Sequence, residues 1–270
     1  MRKGIAGYAA LVAIAIGTLL PLISIVLASL QPSGSTVSGL AWPDEVTFDN
    51  YTAAWEAAGF GNLLSNSLLV AGTVVPATLV AATLASYAIG TLRLRWSNGL
   101  FVFFVSGLTI PVELVVIPLY YDLRSIGLTN TLWAVVLVEI GLFMPFGIFW
   151  MTTHFRSMPI ELVEAARIDG ASTFRILRSI LLPLSRPALS TLAVLVFMWS
   201  WNQFLLVLIL VQDTDLRTAP AGLGFFVGQY STNIPVLSAG TVIVVLPIVL
   251  VYLLFQRSFI SGLLQGAVKG

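Results

Sequence analysis

Long apolar runs separated by short polar segments make up most of the chain. Six of these runs are long enough to cross the hydrocarbon core of a bilayer, which takes roughly 20 helical residues. The pattern therefore predicts an all-α, polytopic membrane protein with six transmembrane helices. Their predicted bounds are Ile5–Leu27, Leu63–Ile89, Leu100–Tyr120, Thr131–Met151, Ala188–Val211 and Val236–Phe255.

The first run has an alternative interpretation as a secretory signal. Arg2 and Lys3 precede it, and Val26 and Ala28 suit a cleavage site. The run is longer than the roughly 7–15 apolar residues of such signals, so we interpret it as a retained transmembrane helix.

The composition agrees with a membrane protein. Hydrophobic residues make up 58% of the 270 and charged residues 9%, whereas soluble domains carry about 25% charged residues. The chain has no cysteine, which excludes disulfides, thiolate metal sites and cysteine nucleophiles. Its net charge of +1 gives no indication of a nucleic-acid partner.

The basic residues predict the orientation in the membrane. If the N-terminus is cytoplasmic, only Arg124 and Arg217 fall on the far side. Because cytoplasmic segments carry an excess of Lys and Arg, both termini and residues 153–187 are expected in the cytoplasm. The basic residues on that side are Arg2, Lys3, Arg93, Arg95, Arg156, Arg167, Arg175, Arg178, Arg186, Arg257 and Lys269.

We interpret residues 1–270 as one transmembrane domain. Residues 1–62 form the first span and an exposed extracytoplasmic loop with a short helix near Asn50–Ala58, and residues 63–270 form a five-helix core. A second long extracytoplasmic loop, 212–235, is rich in glycine and proline.

Two carboxylates, Glu113 and Glu139, fall inside predicted spans. An ionisable group in the hydrocarbon costs about 2.5–3.5 kcal/mol on insertion scales, so such residues are expected to face a polar interior. A substrate path or proton relay is one interpretation. Pairing with a neighbouring hydroxyl or helix end, or a position nearer the interface, is the other.

The sequence contains none of the common catalytic patterns. It lacks GxxxxGK[ST], GxSxG and HExxH. The lone histidine, His154, lies at the cytoplasmic end of the fourth span, which is typical of a surface residue. We predict neither an ATP site nor an enzyme.

Residues 153–187 contain the one sizeable polar segment on the cytoplasmic side. Pro159 can open a helix, and Glu164 lies near its N-terminus, where a carboxylate complements the helix dipole. Gly170 can adopt the left-handed conformation that ends a helix. Ser172 can cap a second helix that stops near Pro183.

The first of these helices is apolar on nearly all sides and yet lies outside the predicted membrane. Such a helix requires burial, and docking into a groove of another protein would provide it. Small Ala165 and Ala166 permit close approach, and Glu161 or Glu164 can pair with a basic residue. A helix lying on the lipid surface is the alternative, but such helices carry Lys or Arg on the polar face.

The stretch EAARIDGASTFRILRSILLPL (164–184) resembles the EAA loop of binding-protein-dependent ABC importer permeases. FMWSWNQFLLVLIL and QRSFISGLLQGAVKG resemble the carbohydrate branch of that family, specifically its maltose-type, MalG-like subunit. The resemblance extends over nearly the whole chain. The residues that match the EAA pattern are Glu164, Ala165, Ala166, Gly170, Leu182 and Pro183.

The resemblance implies a permease subunit in a bacterial or archaeal plasma membrane that forms half of a sugar pathway. Its coupling helix would dock into a cytoplasmic ATPase, with Glu164 paired to an arginine there and Glu161 and Asp169 in the same region. Two ATPase copies would bind ATP and Mg, so this chain needs no cofactor. A different second permease and an extracytoplasmic solute-binding protein are also implied.

Further contacts follow from the resemblance. Loop 212–235 resembles the family loop that probes the open binding protein, and Gln265–Gly270 is expected to form a second ATPase contact. Glu139 stands where the family pattern predicts an apolar residue. The candidate path residues are Glu113, Glu139 and Asn202, and the candidate loop contacts are Gly222, Gly224, Gly228 and Tyr230.

The residues alone leave three alternative functions open. The chain could be a permease for a non-sugar solute, a stand-alone secondary transporter with Glu113 or Glu139 as its proton site, or a membrane scaffold or sensor subunit. Polyols, glycerol phosphodiesters and oligosaccharides are all candidate solutes.

Overall fold

The computed structural model describes residues 4–36, 39–92, 94–227 and 233–267, with the side chains of residues 5, 6 and 257–267 left out. Its regular elements are helices, as predicted. They are α1 (Ile5–Ser29), α2 (Asp49–Ala58), α3 (Phe60–Gly90), α4 (Ser97–Ser106), α5 (Val112–Ser125), α6 (Leu132–Ser157), α7 (Ile160–Ile168), α8 (Thr173–Ile176), α9 (Leu182–Leu184), α10 (Arg186–Trp201), α11 (Leu205–Leu210), α12 (Ala219–Gly222) and α13 (Ile234–Ala267).

Four helices are each long and apolar enough to cross a membrane, and up to six spans result if each of two bent helix pairs counts as one. The four continuous spans lie where the hydrophobic pattern predicts the first, second, fourth and sixth. They are Gly7–Ser29, Phe60–Gly90, Leu132–Ser157 and Ile234–Gln256.

The predicted third span, Leu100–Tyr120, is not one straight helix. Ser97–Thr109 and Val112–Ser125 meet at an angle of 98°. The bend lies at Ile110, which is extended, with φ −87° and ψ 112°. Because Pro111 disfavours the helical conformation of the residue before it, the chain turns at this point.

The predicted fifth span, Ala188–Val211, is also interrupted. The helix α10 ends at Trp201 and α11 begins at Leu205. At the break, the Asn202 side chain donates to the carbonyl of Met198 (2.8 Å), and the Gln203 side chain accepts from the amide of Leu206 (3.4 Å). Amide side chains that bond to nearby backbone groups compete with a continuous helix.

The helices α3 and α6 form the centre of the bundle. A Cβ added to Gly147 of α6 would lie 2.8 Å from the Cβ of Ala82 in α3, so the absence of a side chain permits this close approach. The hydroxyl of Ser86 donates to the carbonyl of Ile148 (3.1 Å) across the same contact. Small residues at helix crossings are a common means of packing in membranes.

The remaining spans pack around this pair. Trp201 of α10 is buried, and its indole N–H donates to the carbonyl of Val244 in α13 (3.1 Å). The first span packs on α13, and the most apolar window within Gly7–Ser29 buries none of its residues. The outer face of α1 is therefore left for lipid or another chain.

The loop between the first two spans, predicted to be extracytoplasmic, is less open than predicted. The expected short helix is present as α2, but it packs against α13. Asn50 is buried, and its side chain donates to the carbonyls of Ser29 (2.9 Å) and Gln31 (2.7 Å). These bonds hold the start of α2 against the end of α1.

A methyl group at the α3–α6 crossing is expected to destabilise the fold. Gly147→Ala should cost about 1–3 kcal/mol because the new Cβ overlaps Ala82. The measurement is the thermal midpoint of the purified protein in detergent. Gly141→Ala is the matched control, because a Cβ at Gly141 of the same helix meets nothing within 4 Å. Equal midpoints for the two variants would contradict the close packing described here.

Candidate functional site

The segment between α6 and α10 folds as the sequence predicts. The helix α7 runs from Ile160 to Ile168, and Gly170 follows with φ +75°. The amides of Asp169 and Gly170 donate to the carbonyls of Ala165 and Arg167, both at 3.0 Å. A left-handed glycine with bonds back to the last turn is a standard way to end a helix.

The second helix of the segment is also confirmed. The hydroxyl of Ser172 accepts from the amide of Arg175 (3.3 Å) and caps α8. A π-helical stretch, Leu177–Leu181, connects α8 to α9, which ends at Leu184, directly after Pro183. The next helix then departs at 77°.

The helix α7 is buried on one face by its own chain, which differs from the prediction of a helix in need of an outside partner on nearly all sides. Val163 and Ala166 belong to the main hydrophobic core. Ala166 therefore permits close approach to the bundle itself. The predicted site residues that are exposed here are Glu161, Glu164, Ala165, Asp169 and Gly170, and Leu162, Arg167 and Ile168 are exposed beside them. Ile168 is 87% exposed, an unusual position for a large apolar side chain.

Contacts with α3 and α6 fix the segment to the bundle. The hydroxyl of Tyr87 in α3 donates to the carbonyl of Thr173, 2.9 Å away. The Tyr87 ring also meets Phe155 of α6 edge to face, with 6.2 Å between centroids. Leu182 is partly buried against the core and Pro183 is exposed. The segment is therefore in direct contact with the central pair of helices.

The two carboxylates expected in the spans have different surroundings. Glu139 is fully buried in α6 beside Ser200 of α10, and neither of its carboxylate oxygens makes a hydrogen bond of standard geometry. Glu113 lies in the first turn of α5, after the bend at Pro111, and is exposed on this chain. Glu113 is therefore not enclosed by its own subunit.

An open cavity of about 390 Å³ lies at the break after α10. The ring of Trp199 meets Phe146 edge to face (4.8 Å) and Phe143 (5.7 Å). The cavity brings aromatic and amide side chains together, without a charged residue among those that line it. The lining residues are Phe143, Leu195, Met198, Trp199, Asn202 and Gln203.

Of these residues, only Asn202 is predicted from the sequence as a site residue. The stretch WSWNQF could have indicated Trp199 and Gln203 as site residues, because two amide side chains interrupt an apolar run there. Nothing in the sequence pairs this stretch with Phe143, because that contact depends on how α6 and α10 pack. Among the described residues, no group of three or more Asp, Glu or His side chains is placed to hold a metal ion.

The predicted loop 212–235 has regular structure over much of its length. It contains short 3₁₀ helices at Thr214–Leu216 and Leu223–Phe226 in addition to α12. Gly222 is buried, and a Cβ there would meet the end of the Leu63 side chain. Gly224 is exposed with open space around it. The predicted contacts Gly228 and Tyr230 lie outside the described residues.

The chain matches a family described as the binding-protein-dependent transport system inner membrane component, over residues 75–264. It is 34% identical to the arabinooligosaccharides transport system permease protein AraQ of Halalkalibacterium halodurans, over 93% of this chain and 91% of that protein. It is 33% identical to the trehalose transport system permease protein SugB of Mycobacterium tuberculosis, over 93% of each chain.

Solved structures share the fold. A chain of a bacterial ABC transporter that imports the acidic polysaccharide alginate superposes with a TM-score of 0.82, at 22% identity, over 96% of this chain and 98% of that one. A chain of the MetNI methionine ABC transporter, in an inward-facing conformation, superposes with a TM-score of 0.60 at 17% identity, over 75% and 95% of the two chains.

The turn at Gly170 is expected to control how firmly α7 is held. Gly170→Ala should strain the left-handed backbone by roughly 1–2 kcal/mol, although there is space for the Cβ. Trypsin should then cleave faster after the exposed Arg167 and Arg175. Gly170→Asn is the control, because asparagine tolerates this conformation better. Equal cleavage of the alanine variant and the unaltered chain would contradict the predicted strain.

Proposed function

The chain belongs to the family of binding-protein-dependent transport system inner membrane components, and we propose that it is one permease subunit of an ATP-driven importer of a sugar or sugar derivative. The names of its relatives support a sugar, since they include permeases for arabinooligosaccharides, for trehalose, and for melibiose, raffinose and stachyose. The observation that carries the proposal is the exposed face of α7 on a helix pair fixed to the bundle.

The coupling role rests on this exposed face. Ile168, Ala165 and the carboxylates of Glu161, Glu164 and Asp169 lie on the surface of a segment whose other side is buried in the core. A surface that carries an exposed apolar side chain and three carboxylates, with Arg167 the one basic residue of α7, fits a groove that has an apolar floor and basic residues at its rim. We assign this groove to a cytoplasmic ATPase, two copies of which would bind ATP and Mg.

The distribution of basic residues supports the orientation that this role needs. It predicts that both termini and α7 lie in the cytoplasm. The C-terminal residues Gln265–Gly270 would then be on the side of the ATPase, where they would form the second contact implied by the family resemblance. The same orientation puts residues 212–227 and α2 outside the cell membrane, facing a solute-binding protein.

The cavity beside Trp199 is the proposed part of the solute path in this subunit. An aromatic face with amide donors and acceptors suits a neutral solute rich in hydroxyl groups. The cavity is open on this chain, and the outer face of α1 is uncovered. A second, different permease subunit would complete the pathway, with exposed Glu113 and Asn202 directed to it or to the solute.

A proton-coupled transporter is the second candidate, and Glu139 favours it. A buried carboxyl with no hydrogen bond of standard geometry is a common element of proton pathways. The two candidates differ in their energy source. Solute uptake into nucleotide-free vesicles driven by a proton gradient would favour the second one, and uptake that needs ATP the first.

The exposed apolar residue of α7 is expected to be essential for ATPase binding. Ile168→Glu should abolish co-purification of the ATPase, because a carboxylate would be buried against an apolar groove floor. Ile126→Glu is the matched control, since Ile126 is 71% exposed in the turn before α6, at the opposite end of that helix. If Ile126→Glu failed to co-purify with the ATPase and Ile168→Glu still co-purified with it, both the proposed docking face and the proposed orientation would be contradicted.

Trp199 is expected to contribute to solute transfer. Trp199→Ala should lower the rate of ATP-driven uptake in proteoliposomes by roughly three- to tenfold. This change corresponds to the loss of one aromatic contact, which contributes about 0.5–1.5 kcal/mol. Trp199→Phe retains a ring and should keep most of the rate. Trp133→Ala, at an exposed position in the first turn of α6, controls for loss of an indole elsewhere. An unchanged uptake rate in Trp199→Ala would contradict the proposal that the cavity is part of the solute path.

A further inference from the structure

Asn130 lies in the turn before α6 in a left-handed backbone conformation, with φ 60°. Asparagine is one of the few residues other than glycine that adopt this conformation readily. Its N–H donates to the carbonyl of Leu210 at 2.8 Å, the last residue of α11. The next residue, Thr131, caps α6 by accepting from the amide of Ala134 (3.2 Å). Asn130 is thus placed at a fixed end of α6.

The side chain of Asn130 extends this contact to the segment that follows α11. Its Oδ1 accepts the amides of Gln212 (3.0 Å) and Asp213 (2.8 Å). One oxygen therefore holds two consecutive backbone groups of residues 212–222, which we call the strap. The Gln212 side chain also donates to the hydroxyl of Tyr120 in α5 (3.4 Å).

Two side chains of α3 hold the rest of the strap. The Asn66 side chain donates to the carbonyls of Asp215 (2.8 Å) and Arg217 (3.0 Å). The hydroxyl of Ser67 accepts the amide of Ala219 (2.8 Å). The strap is therefore attached to α3 by Asn66 and Ser67, and to the start of α6 by Asn130.

We propose that Asn130 is a positioning residue for solute import. By holding α11 and the strap to the start of α6, Asn130 makes them move as one body with α3 and α6. The break before α11 contains Asn202 and Gln203, which line the cavity. Asn130 would thus link the cavity wall, the extracytoplasmic strap and the helices to which α7 and α8 are attached. The inference rests on the proposed function, because it assigns the strap to the surface that receives the solute-binding protein.

Two variants separate the side chain of Asn130 from its backbone conformation. Asn130→Gly retains the left-handed conformation and the bond to Leu210 but loses the acceptor for the strap. Asn130→Asp retains an acceptor oxygen at the same place. Both are to be prepared in the assembled transporter, with its partner permease, ATPase and solute-binding protein from neighbouring genes.

Hydrogen exchange tests the contact itself. In Asn130→Gly the amides of Gln212 and Asp213 should exchange about tenfold faster or more, because local opening no longer breaks a hydrogen bond to the turn. The amide of Ala219, held by Ser67, is the internal reference and should not change. Asn130→Asp should resemble the unaltered protein. Unchanged exchange at Gln212 and Asp213 in Asn130→Gly would overturn the proposal.

ATPase stimulation tests the positioning role. In Asn130→Gly the concentration of binding protein needed for half-maximal ATPase stimulation should rise about fivefold, as expected for about one lost hydrogen bond in the contact. The maximal rate should stay within about twofold, and Asn130→Asp should restore the half-stimulating concentration. A damaged fold would instead lower the maximal rate.

Two results of the ATPase assay would overturn the positioning role. One is an unchanged half-stimulating concentration in Asn130→Gly despite faster exchange of the strap. The other is a lower maximal rate alone, which would reduce Asn130 to a stabilising residue. An unaltered complex that no binding protein stimulates would contradict the proposed function, and the exchange experiment would still decide whether Asn130 holds the strap.

Discussion

The close contact between α3 and α6 is the constraint on which the rest of the fold depends. In lipid, helices gain little from excluding water and must associate by close packing and hydrogen bonds. Gly147 provides the packing by letting the α6 backbone approach Ala82, and Ser86 provides a hydrogen bond across the same contact. The helices α7 and α8, the break in the fifth span and the strap all attach to this pair or to the turns beside it.

This arrangement offers a physical basis for transmitting movement across a bilayer. At one end, Tyr87, whose ring meets Phe155, holds α8 against the pair. At the other end, Asn66, Ser67 and Asn130 hold the strap. Because packed interiors have low compressibility and transmit strain, the proposed coupling relies on these contacts at the two ends of the pair. The cavity beside Trp199 lies where a span is interrupted, so backbone and amide groups are available there without an isolated charge.

Much of this fold follows from sequence patterns, and the exceptions have physical causes. Hydrophobic length predicted the four continuous spans, and the chemistry of Gly170 and Ser172 predicted the turn between α7 and α8. Hydropathy does not report the direction of a helix axis, so it could not predict the 98° angle between the two helices that meet before Pro111. The burial of Ala166 and the contact of Phe143 with Trp199 depend on tertiary packing. Gly222 was predicted as a contact of the loop, and the structure places it in a buried position beside Leu63, which also depends on packing.

The central claim is that α7 is the docking surface for an ATPase, and site-specific crosslinking tests it most directly. Because the chain has no cysteine, Ala165→Cys introduces a single reactive thiol on the exposed face of α7. A short thiol-to-amine crosslinker should join this residue to the ATPase in the assembled complex, whereas Ala53→Cys, exposed on α2, should give no ATPase adduct. Absence of the adduct at position 165, or its appearance at position 53, would contradict the account.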